Sequence, residues 1–424
     1  MTSQGRSRIN GRSRLLAIAV IAALVPAAFL VSSGQGKVAE RAGSPVVGKV
    51  YTETNDPAGN KVVVFNRKAN GRLAKRQSVA TGGKGSTQSV GCGPGCPILD
   101  SNYAVVNRGR LVFAINAGSD SVTSFRQTRR GLRRVNKVAS GGDMPEALAL
   151  HGNLLYVLNV NTANGNGTTG NIYGFLVATT GRLTPIAGSS QPLANFSPRE
   201  GTPGGAATPR SINFDPTGSV IVVTELAANM GAGAIDTFVV DSSGKAAKVK
   251  AYPSSDGFPF GSAFDSKGHL VVTNLHVPDQ TANGSVSTYR VNRAGKVTAI
   301  DTKSSNGILP CWVAISGDDR FAFAVNTGAG PPATVARFEL ANSGNLTFKG
   351  LTPERANEFA RTDIALSRDS RYAYVLSPQV APPTGAPASH IDEYRVTNTG
   401  GLVFIGKTAA GANLGVGVTG LAAK

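Results

Sequence analysis

The stretch CWVAISGDDRFAFAVNTGAGPPATVARFELANSGNL, residues 311–346, decides how the chain is read. It holds an apolar run (CWVAIS, 311–316), a polar turn, a second run (FAFAVN, 321–326), a loop rich in Gly and Pro, an alternating run (TVARFEL, 334–340), and a turn, NSGNL at 342–346, that opens a further segment. In TVARFEL apolar and polar side chains alternate, as they do in an extended strand, whereas a helix would group its apolar residues three and four apart. The intervening Gly and Pro suit tight turns, because Gly reaches positive φ and Pro ends a hydrogen-bonded ladder. The stretch predicts a four-stranded antiparallel meander.

The same pattern returns along the chain. FAFAVN is matched by VYTETN at 50–55, VFAIN at 112–116, LYVLN at 155–159, IVVTE at 221–225, LVVTN at 270–274 and YAYVLS at 372–377, which gives seven copies. Each is followed by a partner run such as KVVVFNR at 61–67 or HIDEYRV at 390–396, then by a turn of the kind seen in KANGRL, TTGRL and RAGKV. A short strand precedes every later copy: YAVVN at 103–107, EALAL at 146–150, RSINFD at 210–215, GSAFD at 261–265, CWVAIS and TDIALS at 362–367. The first copy lacks it, and GVGVTGLAA at 415–423 resembles the missing piece. The expected fold is therefore all-β, a seven-bladed β-propeller whose C-terminal strand completes the first blade and removes the exposed edges of an open array. In such a meander the inserts at 81–102, 189–207, 226–233, 275–284 and 378–389 crowd one face, the expected ligand face.

Residues 1–48 stand apart from the propeller expected over 49–424. Arg6, Arg8, Arg12 and Arg14 precede the uninterrupted apolar run Leu15–Val31, the form of an export signal or of a retained membrane anchor. A positive flank that stays inside puts the rest of the chain in a secreted, periplasmic or other extracytoplasmic location. The whole chain carries 43 basic and 25 acidic residues, a formal +18. Six basic residues and one acidic residue fall in the first 48, leaving 37 against 24 and a net +13 for the propeller. This balance favours anionic partners: a small molecule, a polysaccharide or an extracytoplasmic protein. Aromatic residues make up only 6% of the chain and no base-reading motif is present, so nucleic acid is not an expected partner. The densest basic cluster, RRGLRR at 129–134, reads as a charged strand edge that discourages sheet-to-sheet pairing. Cys92 and Cys96 in GCGPGCP are candidates for a small disulfide in an oxidising compartment. Neither a metal site nor a cofactor is called for, because the four histidines are dispersed and no dinucleotide fingerprint occurs.

The phrases VYTETNDPAGNKVVVFNR, LVFAINAGSDSVTSF, LYVLN and RYAYVLS resemble the seven-bladed lactonase-like propeller family over about residues 49–424. That family includes sugar-lactonase-like and carboxymuconate-cyclase-like proteins. In the sugar-lactonase branch a blade carries PRH, a strand and then NEL. The matching text is Pro209-Arg210-Ser211 and Thr224-Glu225-Leu226, with Ser211 in place of the histidine and Thr224 in place of the asparagine.

The resemblance and the strand pattern together nominate Arg210, Glu225 and His276 as catalytic candidates. Arg210 would hold an anionic or developing oxygen, Glu225 would activate water, and His276 would supply a base near neutral pH. Asn116, Asn159, Asn274 and Asn326 at strand ends, with Phe260, Trp312 and Arg361 at inner-strand entrances, are candidates for ligand contacts. Local capping by the asparagines and core packing by the two aromatic residues are the competing readings. The leading functional expectation is an extracytoplasmic ligand-binding or scaffold propeller. The alternative is a metal-independent hydrolase of a carboxylated or phosphorylated lactone, or a carboxymuconate-cycloisomerase-like enzyme.

Overall fold

The computed structural model describes residues 44–86, 101–160, 170–194, 209–226, 233–276, 283–328, 333–352, 361–378, 389–408, 414–415 and 417–424. The run Leu15–Val31 and the pair Cys92 and Cys96 lie outside the described residues.

The strands form seven sheets, each an antiparallel meander. From axis to rim, blade one is Thr419–Ala423, Val46–Glu53, Lys61–Lys68 and Leu73–Ala80. Blade two is Val105–Arg108, Leu111–Asn116, Ser121–Thr128 and Gly131–Ala139. Blade three is Pro145–His151, Leu154–Asn159, Asn171–Val177 and Leu183–Pro185, with Gln191–Pro192 also paired to its third strand. Blade four is Pro209–Phe214, Val220–Glu225, Ala234–Val239 and Lys250–Pro253. Blade five is Phe258–Phe264, His269–Leu275, Asn283–Val291 and Val297–Ile308. Blade six is Pro310–Ile315, Phe321–Asn326, Thr334–Leu340 and Leu346–Leu351. Blade seven is Asp363–Leu366, Tyr372–Ser377, His390–Val396 and Leu402–Lys407. In blade one the C-terminal strand is innermost, in the register Val50↔Ala423, Tyr51↔Ala422 and Glu53↔Thr419.

The second strands are apolar on both faces because each face meets a neighbouring blade. In blade six, Phe321, Phe323 and Val325 pack toward blade seven while Ala322 and Ala324 pack toward blade five. The same division holds around the ring, giving seven apolar cores, one for each pair of neighbouring blades, including blades seven and one. Burial on both faces explains why these runs do not alternate.

The turns of the repeat also join the blades. Gly71, Gly295 and Gly344 take φ of 84°, 76° and 90°, the left-handed region that glycine enters without steric cost. Their carbonyls accept hydrogen bonds from Tyr374 (2.9 Å), Thr237 (2.8 Å) and Thr288 (2.7 Å) of the preceding blade. At the closing seam, Glu393 of blade seven is fully buried, lies 2.6 Å from Arg72 Nε of blade one and accepts the Leu73 N–H at 2.9 Å.

Each blade thus has a turn end, where inner strands turn into second strands and third into outer strands. At the opposite, loop end, the second strand leads to the third and the outer strand leads on to the next blade. An axial cavity of about 690 Å³, lined by inner strands of all seven blades, runs toward the turn end past Val106, Leu150, Phe214, Phe264, Ile315 and Leu366.

Glu393→Ala is expected to destabilise the ring by about 2 kcal/mol, since it orphans the Leu73 N–H and strips a half-exposed Arg72 of its partner. The denaturant midpoint should fall with an unchanged slope, and a midpoint equal to wild type would show that the seam is held by its apolar core alone.

Candidate functional site

Four consecutive inner strands carry proline as their first or second residue: Pro145, Pro209, Pro259 and Pro310. Each pairs with the last polar residue of its second strand or with Asn274, and after each the register skips: Pro145↔Asn159 is followed by Ala147↔Leu158, Pro209↔Glu225 by Ser211↔Thr224, Pro259↔Asn274 by Ser262↔Val272, and Pro310↔Asn326 by Trp312↔Val325. A proline has no N–H to give the ladder, and the residue after it bulges out of the pairing. The bulged side chains are Glu146, Arg210, Phe260 and Cys311, at the loop end of the axis.

The bulges bring these side chains into contact from blade to blade. Arg210 Nη1 stands 3.6 Å from Glu146 Oε1, with both side chains fully buried. The guanidinium carbon lies 5.1 Å from the centre of the Phe260 ring, a cation over an aromatic face. Phe260 meets Trp312 edge to face, with ring centroids 4.9 Å apart, and the two pack with Leu226, Leu275 and Cys311. Among the described residues, Arg210 Nε, Nη1 and Nη2 donate no hydrogen bond. A buried guanidinium offers five N–H groups in a planar fork that matches a carboxylate or phosphate. Arg210 therefore has a charged neighbour but retains its hydrogen-bonding capacity for oxygens.

Glu225 is not Arg210's carboxylate partner. It ends its strand beside Asp236, two residues along the adjacent third strand from Ala234, with which Glu225 pairs. Burial, the hydrogen bond to Glu225 and repulsion from that carboxylate push the Asp236 carboxyl up to about 9, so this acid pair holds a proton at neutral pH. Asp236 Oδ2 accepts the Ala194 N–H at 2.8 Å. His276 lies at the loop end of blade five, a third exposed, with Nε2 3.2 Å from Asp256 Oδ2, an oxygen that also accepts from Ser285 Oγ at 2.6 Å. It contacts neither Arg210 nor Glu225 among the described residues.

The nominated asparagines are buried: Asn116, Asn274 and Asn326 tie their own blades together, and Asn159 binds the connection from blade two. Asn116 Nδ2 donates to Ser121 Oγ (3.2 Å) and Thr123 Oγ1 (3.0 Å), Asn274 Nδ2 to Ser285 Oγ (2.9 Å) and Ser287 Oγ (2.8 Å), and Asn326 Nδ2 to Thr334 Oγ1 (3.1 Å). Asn159 Nδ2 donates to Ser140 O at 3.2 Å. In blade one the strand-ending position is Glu53 and not Asn55, because Glu53 closes the strand and pairs with Thr419. Asn55 instead takes a left-handed φ of 46° and accepts the Ser86 N–H. Burial pushes the Glu53 carboxyl well above the usual range. Arg361 is fully buried and clasps blade seven to blade six: it donates to Tyr394 OH at 2.9 Å and to Thr352 Oγ1 at 3.4 Å, and its Nη2 is 3.5 Å from Asp392.

Of the nominated residues, Arg210, Phe260 and Trp312 come together in one row. The partner missed in sequence is Glu146, although Pro145-Glu146 repeats the placement of Pro209-Arg210 at the start of an inner strand.

No protein-family model matches the chain, and no curated protein matches its sequence. Similar solved structures include two putative 6-phosphogluconolactonases. The one from Bacteroides fragilis is 15% identical with a TM-score of 0.60, over 90% of this chain and 99% of that one. The one from Bacteroides uniformis is 16% identical with a TM-score of 0.62, over 88% and 99%. The periplasmic gluconolactonase PpgL of Pseudomonas aeruginosa is 16% identical with a TM-score of 0.59, over 89% and 98%. The chain shares the seven-bladed fold of these lactonase-type proteins.

Asp236→Asn should keep the hydrogen bond to Glu225 without the shared proton. Because the native Asp236 pKa is raised, its contribution to stability is complete below the ordinary carboxyl range and is lost as pH rises through about 9. Thermal melts of the wild type are expected to weaken over that span relative to Asp236→Asn; parallel melting curves would mean that the pair holds no proton.

Proposed function

We propose that the protein is a metal-independent hydrolase of a carboxylated or phosphorylated lactone, acting outside the cytoplasm at the loop end of the propeller axis. The observation that carries this reading is Arg210, a fully buried guanidinium with no hydrogen-bonded acceptor among the described residues and with Glu146 3.6 Å away. Arg210 would bind the substrate's anionic oxygens, and low local polarity strengthens such charge-assisted bonds. Glu146 would take a proton from water as the water oxygen attacks the lactone carbonyl carbon. The ring ester C–O bond then breaks, and the departing alkoxide takes up a proton to give the open hydroxy acid. Phe260 and Trp312 would form the apolar wall behind the sugar ring. The fold shared with proteins named as lactonases supports this reaction class, although fold alone does not fix chemistry. The basic and apolar N-terminal run supports export, as does the periplasmic label of one structural relative.

Complete burial of Arg210 and Glu146 also favours a second reading, a propeller that captures an anionic ligand without turning it over. Purified protein assayed against phosphorylated and carboxylated sugar lactones separates the two. Under the hydrolase reading, Arg210→Ala and Glu146→Gln each lower kcat/KM by about 10² to 10³ with folding intact. Saturable binding without turnover, abolished by Arg210→Ala, would leave the capture reading. Turnover equal to wild type in both variants would overturn the assignment of the site.

A further inference from the structure

The basic run RRGLRR belongs to a larger arrangement that only the fold assembles. Blade two, residues 105–139, carries eight basic side chains and one acidic, a net +7 out of the propeller's +13. Its single carboxylate, Asp120, is at the loop end, where it accepts the Met144 N–H at 2.7 Å. The positive charge gathers at the turn end. There Arg108 and Arg110 flank one turn and Arg129 and Arg130 form the next, and the turns adjoin through a hydrogen bond from Gln127 N to Arg110 O at 2.7 Å. The C-terminal Lys424 reaches the same corner and donates to Gly109 O at 2.6 Å. Arg108, Arg110, Arg129, Arg130 and Arg133 are exposed. Among the described residues, none of them lies within 4.0 Å of a carboxylate.

A charged edge that only prevents sheet pairing needs one or two lysines, not two arginine-bearing turns focused on one corner. Arginine forks suit phosphate oxygens. The large exposed apolar side chains among the described residues are Val46, Val47, Val135, Leu176, Leu351 and Val403, with no aromatic ring on which bases could stack. Chain direction supplies an independent indication. The second strand of blade one starts at the turn end with Val46 and Val47, each 52% exposed. Fourteen residues, 32–45, separate this strand from the apolar run Leu15–Val31, a reach of at most about 50 Å. The described chain thus enters the propeller at the same end that carries the arginine corner.

We propose that the turn end of blade two docks on an anionic phospholipid surface, through Arg108, Arg110, Arg129 and Arg130 on headgroup phosphates. The loop end, with Arg210 and Glu146, then faces away from the bilayer. This orientation holds whatever reaction occurs at that end.

The full chain in nanodiscs tests the proposal by hydrogen–deuterium exchange, comparing phosphatidylcholine discs with discs containing phosphatidylglycerol. Amides of the two turns, 108–111 and 127–130, are expected to exchange on the order of tenfold more slowly in the anionic discs, with protection lost in about 0.5 M NaCl. The combined variant Arg108→Glu, Arg110→Glu, Arg129→Glu and Arg130→Glu should abolish the difference, as should the milder set with Gln at the same positions if the first fails to fold. Equal exchange in both discs would overturn the proposal. So would protection that survives in both variants, or protection by a single-stranded oligonucleotide in neutral discs without any effect of phosphatidylglycerol.

Discussion

Closure is the constraint on which the rest of the structure depends. Each second strand is apolar on both faces and is stable only between two neighbours, so the seventh core, between blades seven and one, must be made for the ring to bury its last faces. A five-residue C-terminal strand, Thr419–Ala423, supplies the inner edge that blade one lacks, and backbone bonds between Lys49 and Lys424 extend the pairing. The seam has polar supports on its rim as well, where Tyr372 and Tyr374 hydroxyls donate to Ala69 O and Gly71 O. Long-range pairing of this kind carries a large loop-closure cost, which the apolar cores on either side must exceed.

Once the ring is closed, the inner strands converge and their entrances bring side chains of several blades together. Proline at four of those entrances removes a ladder donor and forces a bulge, which turns Glu146, Arg210, Phe260 and Cys311 out of the regular alternation. Among the described residues, the desolvation of Arg210 is offset by a carboxylate at 3.6 Å and an aromatic face. Such an arrangement stabilises the fold poorly and suits an oxygen-rich ligand well. Arg361 is the useful contrast, since it is equally buried but engages hydroxyls of two blades and an aspartate.

Strand content, blade number and closure were legible because they rest on local periodicity and on one missing copy that the C-terminus resembles. Residue roles at strand ends were less so. VYTETN at 50–55 ends on Asn55 in the repeat pattern, yet the strand stops at Glu53, and the ending that blades one and four share is Val-Xaa-Thr-Glu. Asn116, Asn274 and Asn326 bond to Ser and Thr two strands' width from the axis, because their partners sit on the third strand in register with them. Glu146 escaped notice because its sequence context, MPEALAL, is otherwise apolar, and a bulge cannot be seen in a hydrophobic pattern. Arg210 is legible through a family resemblance, whereas the carboxylate beside it becomes visible only in the folded geometry.

The charge distribution shows the same limit at larger scale. In the linear sequence, Arg108 and Arg130 are twenty-two residues apart and belong to unrelated turns. A four-stranded meander returns every second connection to the same end, so the turn between inner and second strands and the turn between third and outer strands become neighbours. The geometry that gathers buried charge at one end therefore also gathers exposed charge at the other. The two differ in what surrounds them: at the loop end convergence of the inner strands excludes water and makes a single guanidinium selective, whereas at the outer corner solvent screens each arginine and only their number generates a field.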